Sequence, residues 1–443
     1  MTVAFVTLGC KVNQVDSDSL RRRMEAAGYT CVEPGNRPDV LVVNSCAVTA
    51  ESERKTRQKL RYFRAMYRDC ILVLTGCAAQ ISAEAQVGRP EDYPEADLVM
   101  GHRDMDALVS CINALSCSKV HLLSSGESPV DLSRKSIDRT RAHNARTRAH
   151  LKIEDGCDQF CAYCIIPRAR GPVRSMPLED VRREIQILDA KGFREIVLVG
   201  INLAAYGSDL GCDLGEVLAI FSKIEITNVR RVRLGSLEPD LLTLQLISKL
   251  EETLHYSKIE LCPHFHVSLQ SGCDSVLKRM NRLYSAKEYF ITVKRLHTIF
   301  PSAAVTTDIM VGFPGESEAE FEASLAFARE VGFAKMHVFP YSSRPGTAAS
   351  AMPGQVPRAV KQVRAKKMLA HAEECHAIFL NSQIGNTLEV LPEEPYPAGG
   401  MRGYSAHYAP VRIANAGPET QNQIIPVKIA SVEDGYCVGV LSR

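Results

Sequence analysis

Four continuous apolar runs stand out in the first 125 residues. They are VAFVT (3–7), VLVVN (40–44), ILVLT (71–75) and ADLVM (96–100). Runs without polar alternation are typical of parallel strands that are buried on both faces. Helical stretches lie between them, and one begins near Thr49, a suitable N-cap residue, with Glu51 and Glu53 in the first turn. The pattern predicts an open parallel α/β sheet domain over residues 1–125.

A second series of strand and helix signals covers residues 149–379. Its strand candidates are HLKIED, EIVLVG, RVRLGS, FHVSLQ, VTTDIMVG and KMHVFP. Six such units predict a partial (β/α)6 barrel, short of the usual eight. A helix rich in Lys, Arg and Ala follows at about 357–383.

The last part of the chain, residues 380–443, changes character. The segments TLEVL, APVRIA, IIPVKIAS and YCVGVL are short and rich in β-forming residues, with Pro, Gly and Asn between them. This pattern predicts a small antiparallel β-barrel. The protein class is therefore α/β with a β-rich C-terminal domain, and residues 126–148 form a basic linker between the first two domains.

Composition narrows the functional classes. The chain is 45% hydrophobic and 23% charged, and no apolar run approaches the roughly 18 residues that cross a bilayer. No basic leader precedes the first apolar run, so we expect a cytoplasmic protein without a membrane partner. The net charge is only +2, so nucleic-acid affinity would come from local patches such as the basic segment 134–148.

Three closely spaced cysteines follow the first strand of the second series. In EDGCDQFCAYCIIPRARG, Cys157, Cys161 and Cys164 are separated by three and then two residues. Thiolates are the usual ligands of iron–sulfur clusters, and three of them leave one iron of a cubane open for chemistry. A zinc site or three incidental cysteines are the alternatives, but no fourth ligand lies nearby in the sequence.

Three further cysteines share one context. Cys10, Cys46 and Cys77 each lie just after an apolar run of the first domain. Strand ends of an open parallel sheet share one edge, and adjacent strands are about 4.8 Å apart, so the three sulfurs are expected to converge. Each alone would be read as a buried core cysteine, but their equivalent positions favour a shared metal site.

These motifs resemble a known family. The CxxxCxxC spacing after the first barrel strand is the signature of the radical S-adenosylmethionine superfamily, and LKIEDGCDQFCAYCIIPRARG is similar to its methylthiotransferase branch. TLGCKVNQ, NSCAVT and TGCAAQ are similar to the N-terminal domain of that branch. The resemblance implies two [4Fe-4S] clusters, one on each cysteine trio, with S-adenosylmethionine cleaved at the first and sulfur supply involving the second.

The resemblance also covers strand ends that can face the cofactor. GINLAAYG, GSLEP, SLQSG and DIMVGFPGE follow successive barrel strands. They indicate Gly200, Asn202, Glu238 and Gln270 as cofactor-binding residues, with Tyr163 beside the adenine; turn and packing roles are the alternatives.

The C-terminal domain is similar to the TRAM module of RNA-modifying enzymes, which implies a tRNA substrate. Tyr404 and Tyr408 are candidates for stacking on bases or, alternatively, for packing within the barrel. Lys11 and Val12 in TLGCKVNQ resemble the subtype that acts on N6-threonylcarbamoyladenosine at tRNA position 37, with an electron donor such as flavodoxin or ferredoxin. The alternatives are isopentenyladenosine in tRNA, a ribosomal-protein aspartate, a non-catalytic metal-stabilised RNA-binding protein, and a redox sensor.

Overall fold

The structure is a computed structural model that describes residues 1–84, 92–118, 147–255, 259–397 and 399–442. Residues 126–146 of the predicted basic linker lie outside the described residues. The chain divides into two compact units. Unit 1 comprises Met1–Arg141, Asp155–Pro172 and Ser342–Thr347, and unit 2 comprises Ala142–Glu154, Val173–Tyr341 and Ala348–Arg443. The domain boundaries drawn from the sequence remain predictions.

Unit 1 contains the parallel sheet that the apolar runs predict. Its strands follow the order β2-β1-β3-β4-β5, and every pairing is parallel. The strands are β1 (Thr2–Thr7), β2 (Thr30–Cys31), β3 (Val40–Ser45), β4 (Ile71–Gly76) and β5 (Leu98–Val99). The helices are α1 (Lys11–Ala26), α2 (Ala50–Met66), α3 (Cys77–Glu84), α4 (Met105–Ser118) and α5 (Ile166–Arg170). The expected α/β class is confirmed.

Local signals explain where α2 begins. The Thr49 side chain accepts a hydrogen bond from the backbone N–H of Ser52 at 3.1 Å, and Glu51 and Glu53 lie in the first turn. The hydroxyl satisfies an otherwise unpaired N–H, and the two acidic side chains favour the positive end of the helix.

Unit 2 contains two four-stranded parallel sheets that form a partial barrel. One sheet has the order β12-β10-β9-β6 and the other β11-β13-β14-β15. They are joined because β10 (Arg231–Leu234) and β11 (Ser236–Leu237) are separated by one residue. The other strands of these sheets are β6 (Ala149–Lys152), β9 (Glu195–Val199), β12 (Glu260–Leu261), β13 (His264–Val267), β14 (Ala304–Val311) and β15 (Lys335–Pro340). β7 (Glu154–Asp155) and β8 (Arg174–Ser175) form a separate two-stranded sheet.

Helices pack against one face of these strands. They are α6 (Leu178–Ala190), α7 (Leu214–Lys223), α8 (Leu244–His255), α9 (Asp274–Arg279), α10 (Ala286–Ile299), α11 (Glu318–Val331) and α12 (Arg358–Asn381). Phe265, Val267 and Ile309 on the strands share a buried core with Tyr289 and Leu296 of α10. Because side chains alternate along a strand, the residues between them face the concave side of the partial barrel.

The C-terminal part of unit 2 forms a closed barrel of five strands. They are β16 (Thr387–Pro395), β17 (Met401–Ser405), β18 (Pro410–Ile413), β19 (Ile425–Glu433) and β20 (Tyr436–Leu441). The sequence predicts an antiparallel barrel, but β18 and β20 pair in parallel. An odd number of strands cannot alternate in direction around a closed ring, so one neighbouring pair must run the same way.

A helix of the described ranges would have to be both long and apolar to span a membrane. None of these helices combines the length and the apolar composition that crossing a bilayer requires.

Candidate metal centres and cofactor-binding residues

Cys10, Cys46 and Cys77 lie at the carboxyl edge of the unit 1 sheet. Their strands β1, β3 and β4 are direct neighbours, and the residues at the strand ends are in register, Thr7 with Asn44 and Asn44 with Thr75. Cys10 is the N-cap residue of α1, Cys46 follows β3, and Cys77 is the first residue of α3. The sheet therefore places these three cysteines at equivalent points of adjacent strands.

Two glycines allow the close approach of these turns. Gly9 has a φ of +117°, and a Cβ there would lie 2.9 Å from the Cβ of Cys46. Gly76 has a φ of +90°, and a Cβ there would lie 2.3 Å from Oδ1 of Asn44. Both positions combine a left-handed backbone with no room for a side chain, which explains the glycine before Cys10 and before Cys77.

A buried amide network fixes Cys10. Oδ1 of Asn13 accepts a hydrogen bond from the Cys10 thiol at 3.1 Å. Nδ2 of Asn13 donates to Oδ1 of Asn44 at 3.0 Å and to the carbonyl of Ser45 at 2.9 Å. The network connects the start of α1 to the end of β3, so it sets the position of Cys10 relative to the neighbouring strand.

Arg170, at the end of α5, is fully buried beside this edge. Nη1 donates to Oδ1 of Asp155 at 3.0 Å, and Nη2 donates to Oδ2 of Asp16 at 3.0 Å and to Oδ1 of Asn13 at 3.4 Å. Nε is buried and has no hydrogen-bond partner among the described residues. Burial raises the pKa of the Cys77 thiol to about 11, and the charge of Arg170 opposes that rise.

These features fit an anionic iron–sulfur cluster. Three cysteine sulfurs supply the donor set, and a buried guanidinium that is ion-paired with Asp16 and Asp155 lies nearby. The unpartnered Nε–H is a donor of the kind that hydrogen-bonds to cluster or cysteine sulfur, and such bonds tune cluster potentials. The residues present are therefore compatible with a cluster at this edge.

Cys157, Cys161 and Cys164 belong to one loop whose ends are held together. The backbone N–H of Cys157 donates to the carbonyl of Gly171 at 3.1 Å, and that of Cys164 donates to the carbonyl of Cys161 at 2.9 Å. A Cβ on Gly156, whose φ is +87°, would lie 1.9 Å from the carbonyl oxygen of Pro172. Cys161 is buried, whereas Cys157 and Cys164 are partly exposed. A closed loop with three cysteines fits a cluster bound at three corners.

Asn202, a predicted cofactor-binding residue of unit 2, has a buried side chain. Its backbone N–H donates to Oε2 of Glu154 at 2.8 Å, but its side-chain Oδ1 and Nδ2 have no hydrogen-bond partner among the described residues. Gly200 permits this arrangement, because a Cβ there would lie 2.5 Å from the same Glu154 oxygen. Buried amides are almost always paired, so Asn202 is suited to hydrogen-bond a ligand.

Gln270 and Glu238 differ in whether their polar side-chain atoms already have a partner. Gln270 has a φ of +68°, and its buried Oε1 lacks a partner among the described residues. Glu238 is ion-paired with Arg282, whose Nη1 lies 3.3 Å from Oε1, and burial raises the pKa of its carboxyl. Gln270 thus retains an acceptor for a ligand, whereas the carboxylate of Glu238 already has a cationic partner. Tyr163 is partly buried beside Cys164 in unit 1.

Tyr404 and Tyr408 pack within unit 2. Their rings stack with centroids 4.7 Å apart, the Arg148 guanidinium lies 5.0 Å from the Tyr404 ring, and the Arg233 guanidinium lies 4.8 Å from the Tyr408 ring. The structure shows the packing alternative for both rings, and base stacking by the partly exposed tyrosines stays a prediction. The local sequence does not show this packing, because Arg233 belongs to β10, which is far from Tyr408 in the chain.

The sequence reasoning missed three residues on the concave face of the barrel strands. One potential metal-ligand atom from each of His266, Asp308 and His337 lies within 4.8 Å of the other two. Nε2 of His266 lies 3.3 Å from Oδ2 of Asp308. Histidines inside otherwise apolar strands were the signal that was available, but their convergence depends on strand register. Arg170 was also missed, because nothing local in the sequence shows its burial.

Comparisons with known proteins cover nearly the whole chain. A family model described as uncharacterized protein family UPF0004 matches residues 2–101, and the model of the radical SAM superfamily matches residues 151–328. The threonylcarbamoyladenosine tRNA methylthiotransferase MtaB of Thermotoga maritima is 37% identical over 408 residues, 92% of this chain and 90% of the relative. The chain belongs to the radical SAM methylthiotransferase family. Members of this family use S-adenosylmethionine and [4Fe-4S] clusters.

The other relatives fall into two groups, which are named for different modified adenosines. The protein of the same name from Bacillus subtilis is 33% identical and spans 100% of this chain and 96% of its own. The tRNA-2-methylthio-N(6)-dimethylallyladenosine synthase of Pelotomaculum thermopropionicum is 30% identical and spans 99% and 97%. Among solved structures, the radical S-adenosylmethionine methyltransferase TsrM of Kitasatospora setae has a TM-score of 0.56 at 14% identity, covering 79% of this chain and 77% of that one. At that identity the likeness supports the fold of this methylthiotransferase.

Proposed function

We propose that this methylthiotransferase converts N6-threonylcarbamoyladenosine at position 37 of tRNA to its 2-methylthio derivative. The observation that carries this choice is the naming of the relatives. Relatives named for threonylcarbamoyladenosine range from 30 to 37% identity, and three of them stand at 33% or more, whereas the dimethylallyladenosine synthases stand at 30 to 31%. Methylthiolation of isopentenyladenosine is the second candidate, because enzymes with that substrate are also full-length relatives.

The two cysteine trios have separate tasks in this proposal. Cys157, Cys161 and Cys164 hold the cluster that reacts with S-adenosylmethionine, and Cys10, Cys46 and Cys77 hold the second cluster. When bound, the first cluster supplies the electron that cleaves S-adenosylmethionine and starts removal of hydrogen from adenine C2. The chain confines the first trio to one closed loop, and the sheet sets the second trio at the ends of three adjacent strands.

Amide side chains with unused hydrogen-bonding groups are proposed to bind S-adenosylmethionine. Asn202 and Gln270 have buried polar atoms that a bound ligand would satisfy, and Gly200 leaves room beside Glu154. Glu238 would contribute as an ion pair with Arg282. Tyr163 is proposed to flank the adenine. Because these residues are proposed to contact S-adenosylmethionine directly, its binding affinity for variants of each residue tests the assignments.

The proposed partners follow from the chemistry. The tRNA is the substrate, and a low-potential carrier such as flavodoxin or ferredoxin supplies electrons in the cytoplasm. The rival interpretation, a non-catalytic metal-stabilised RNA-binding protein, needs no electron donor and releases no 5′-deoxyadenosine.

The test is an anaerobic assay with reconstituted protein and two tRNAs, one carrying threonylcarbamoyladenosine and one carrying isopentenyladenosine. Nucleoside mass spectrometry should show a 2-methylthio product with the first tRNA, together with 5′-deoxyadenosine. Cys161→Ala should abolish both, whereas Cys111→Ala, which changes a cysteine on α4 outside both trios, should retain them. Product with the isopentenyladenosine tRNA alone would establish the second candidate instead.

A further inference from the structure

His266, Asp308 and His337 lie on three adjacent parallel strands. Asp308 on β14 is in register with His337 on β15, and His266 on β13 is in register with Thr306 on β14. Thr306 and Asp308 are two residues apart, so all these side chains lie on one face. The opposite face carries Phe265, Val267 and Ile309 of the helix-packed core. The three residues therefore face the concave side of the partial barrel.

The distances suit a single metal ion. Ligand atoms of His and Asp lie about 2.0–2.2 Å from a metal such as zinc, which places neighbouring ligand atoms roughly 3 to 3.5 Å apart. Nε2 of His266 and Oδ2 of Asp308 are 3.3 Å apart, and the ligand atom of His337 lies within 4.8 Å of both. The His337 side chain is exposed, so a small rotation of its ring can complete the site.

A neighbouring hydroxyl orients the His266 ring. Nδ1 of His266 lies 3.0 Å from Oγ1 of Thr306, which directs Nε2 towards Asp308. Histidine ligands commonly use their second ring nitrogen for such a hydrogen bond, and the bond fixes the tautomer and raises ligand basicity. The site thus has both a set of ligand atoms and a group that positions one of them.

We propose that His266, Asp308 and His337 form a binding site for a divalent transition-metal ion such as Zn²⁺, Fe²⁺ or Mn²⁺. Two imidazoles and one carboxylate are a donor set that such ions accept, and the single carboxylate supplies the negative charge. Three protein ligands leave positions open for an oxygen donor, such as a carboxylate, of a bound molecule. None of the three ligands is a cysteine or a member of either cysteine trio, so the proposal stands independently of the proposed function.

The test uses the full-length holoenzyme with its clusters oxidised and stripped of loosely bound metal by a chelator. Oxidised [4Fe-4S] clusters have a total electron spin of zero and give no electron paramagnetic resonance signal. The Mn²⁺ signal can therefore be used to follow Mn²⁺ binding, with Zn²⁺ as competitor. The wild type should bind one equivalent of Mn²⁺, and Zn²⁺ should displace it. Asp308→Asn and His337→Ala should weaken binding at least tenfold, and Thr306→Val should weaken it by roughly 10- to 100-fold through the His266 ring.

His297→Ala, which removes a histidine from the last turn of α10, is the matched control and should bind like the wild type. Because the His337 side chain is exposed, its replacement tests the site without loss of packing. Unchanged iron content and circular dichroism show that each variant is folded. The proposal is overturned by a wild type that binds no stoichiometric Mn²⁺ or Zn²⁺. It is equally overturned by folded Asp308→Asn and His337→Ala variants with wild-type affinity.

Discussion

Replacement of Arg170 by Met should destabilise unit 1 strongly. The guanidinium is fully buried and donates to Asp16 and Asp155 at 3.0 Å each. Methionine fills a similar volume but leaves two buried carboxylates without their cation. Removing one partner of a buried ion pair costs about 3–5 kcal/mol, which corresponds to a change of roughly 100-fold or more in the folding equilibrium.

Urea unfolding of the cluster-free protein, followed by far-UV circular dichroism because the chain has no Trp, measures this loss. Arg54→Met removes an exposed arginine whose side chain is 63% accessible, and its unfolding midpoint should equal that of the wild type. The triple variant Arg170→Met, Asp16→Asn, Asp155→Asn should regain part of the stability, because no uncompensated charge remains. If Arg170→Met unfolds at the wild-type midpoint, then the buried charge network does not hold unit 1 together.

Three further outcomes follow from particular contacts. Although burial opposes ionisation of the Glu195 carboxyl, Arg233 and Arg231 hold its pKa below the ordinary value. The stability that this carboxylate contributes is therefore present above about pH 4.5 and is lost as pH falls. Glu195→Gln should lower stability at pH 7 and flatten the acid side of the stability–pH profile, as thermal unfolding between pH 3 and 7 would show. Gly76→Ala should reduce both stability and iron retention, because a Cβ at this φ of +90° meets Asn44. Melting temperature and iron content measure the two effects. Gly28→Ala is the control, because Gly28 has a similar φ but open space around it, so this variant shows the effect of backbone strain without the clash. Asn202→Ala should weaken S-adenosylmethionine binding without lowering stability, because its side-chain amide has no partner among the described residues; equilibrium dialysis showing unchanged affinity would remove Asn202 from the cofactor site.

The sheet positions were predictable because apolar runs record burial on both faces of a strand. The runs at 3–7, 40–44 and 71–75 coincide with β1, β3 and β4 to within a residue. Once those strands are adjacent and parallel, the cysteines that follow them must share an edge. The six strand candidates of the second series likewise coincide with strands of the partial barrel.

Long-range contacts were not predictable. Arg170 reads as one of several basic residues after the cysteine loop, and its partner Asp16 lies 154 positions earlier in the chain. His266, Asp308 and His337 become neighbours only through the register of three strands. The parallel pairing of β18 and β20 likewise depends on closure of the five-stranded ring, which no single segment encodes.

Iron and acid-labile sulfide content is the most direct test of the assignment of two clusters to two cysteine trios. Anaerobically reconstituted wild-type protein should contain the iron and sulfide of two [4Fe-4S] clusters. The variant with Cys10, Cys46 and Cys77 replaced by Ala should contain one cluster, as should the variant with Cys157, Cys161 and Cys164 replaced. Two clusters retained in either folded variant, or a single metal ion per wild-type chain, would contradict the account.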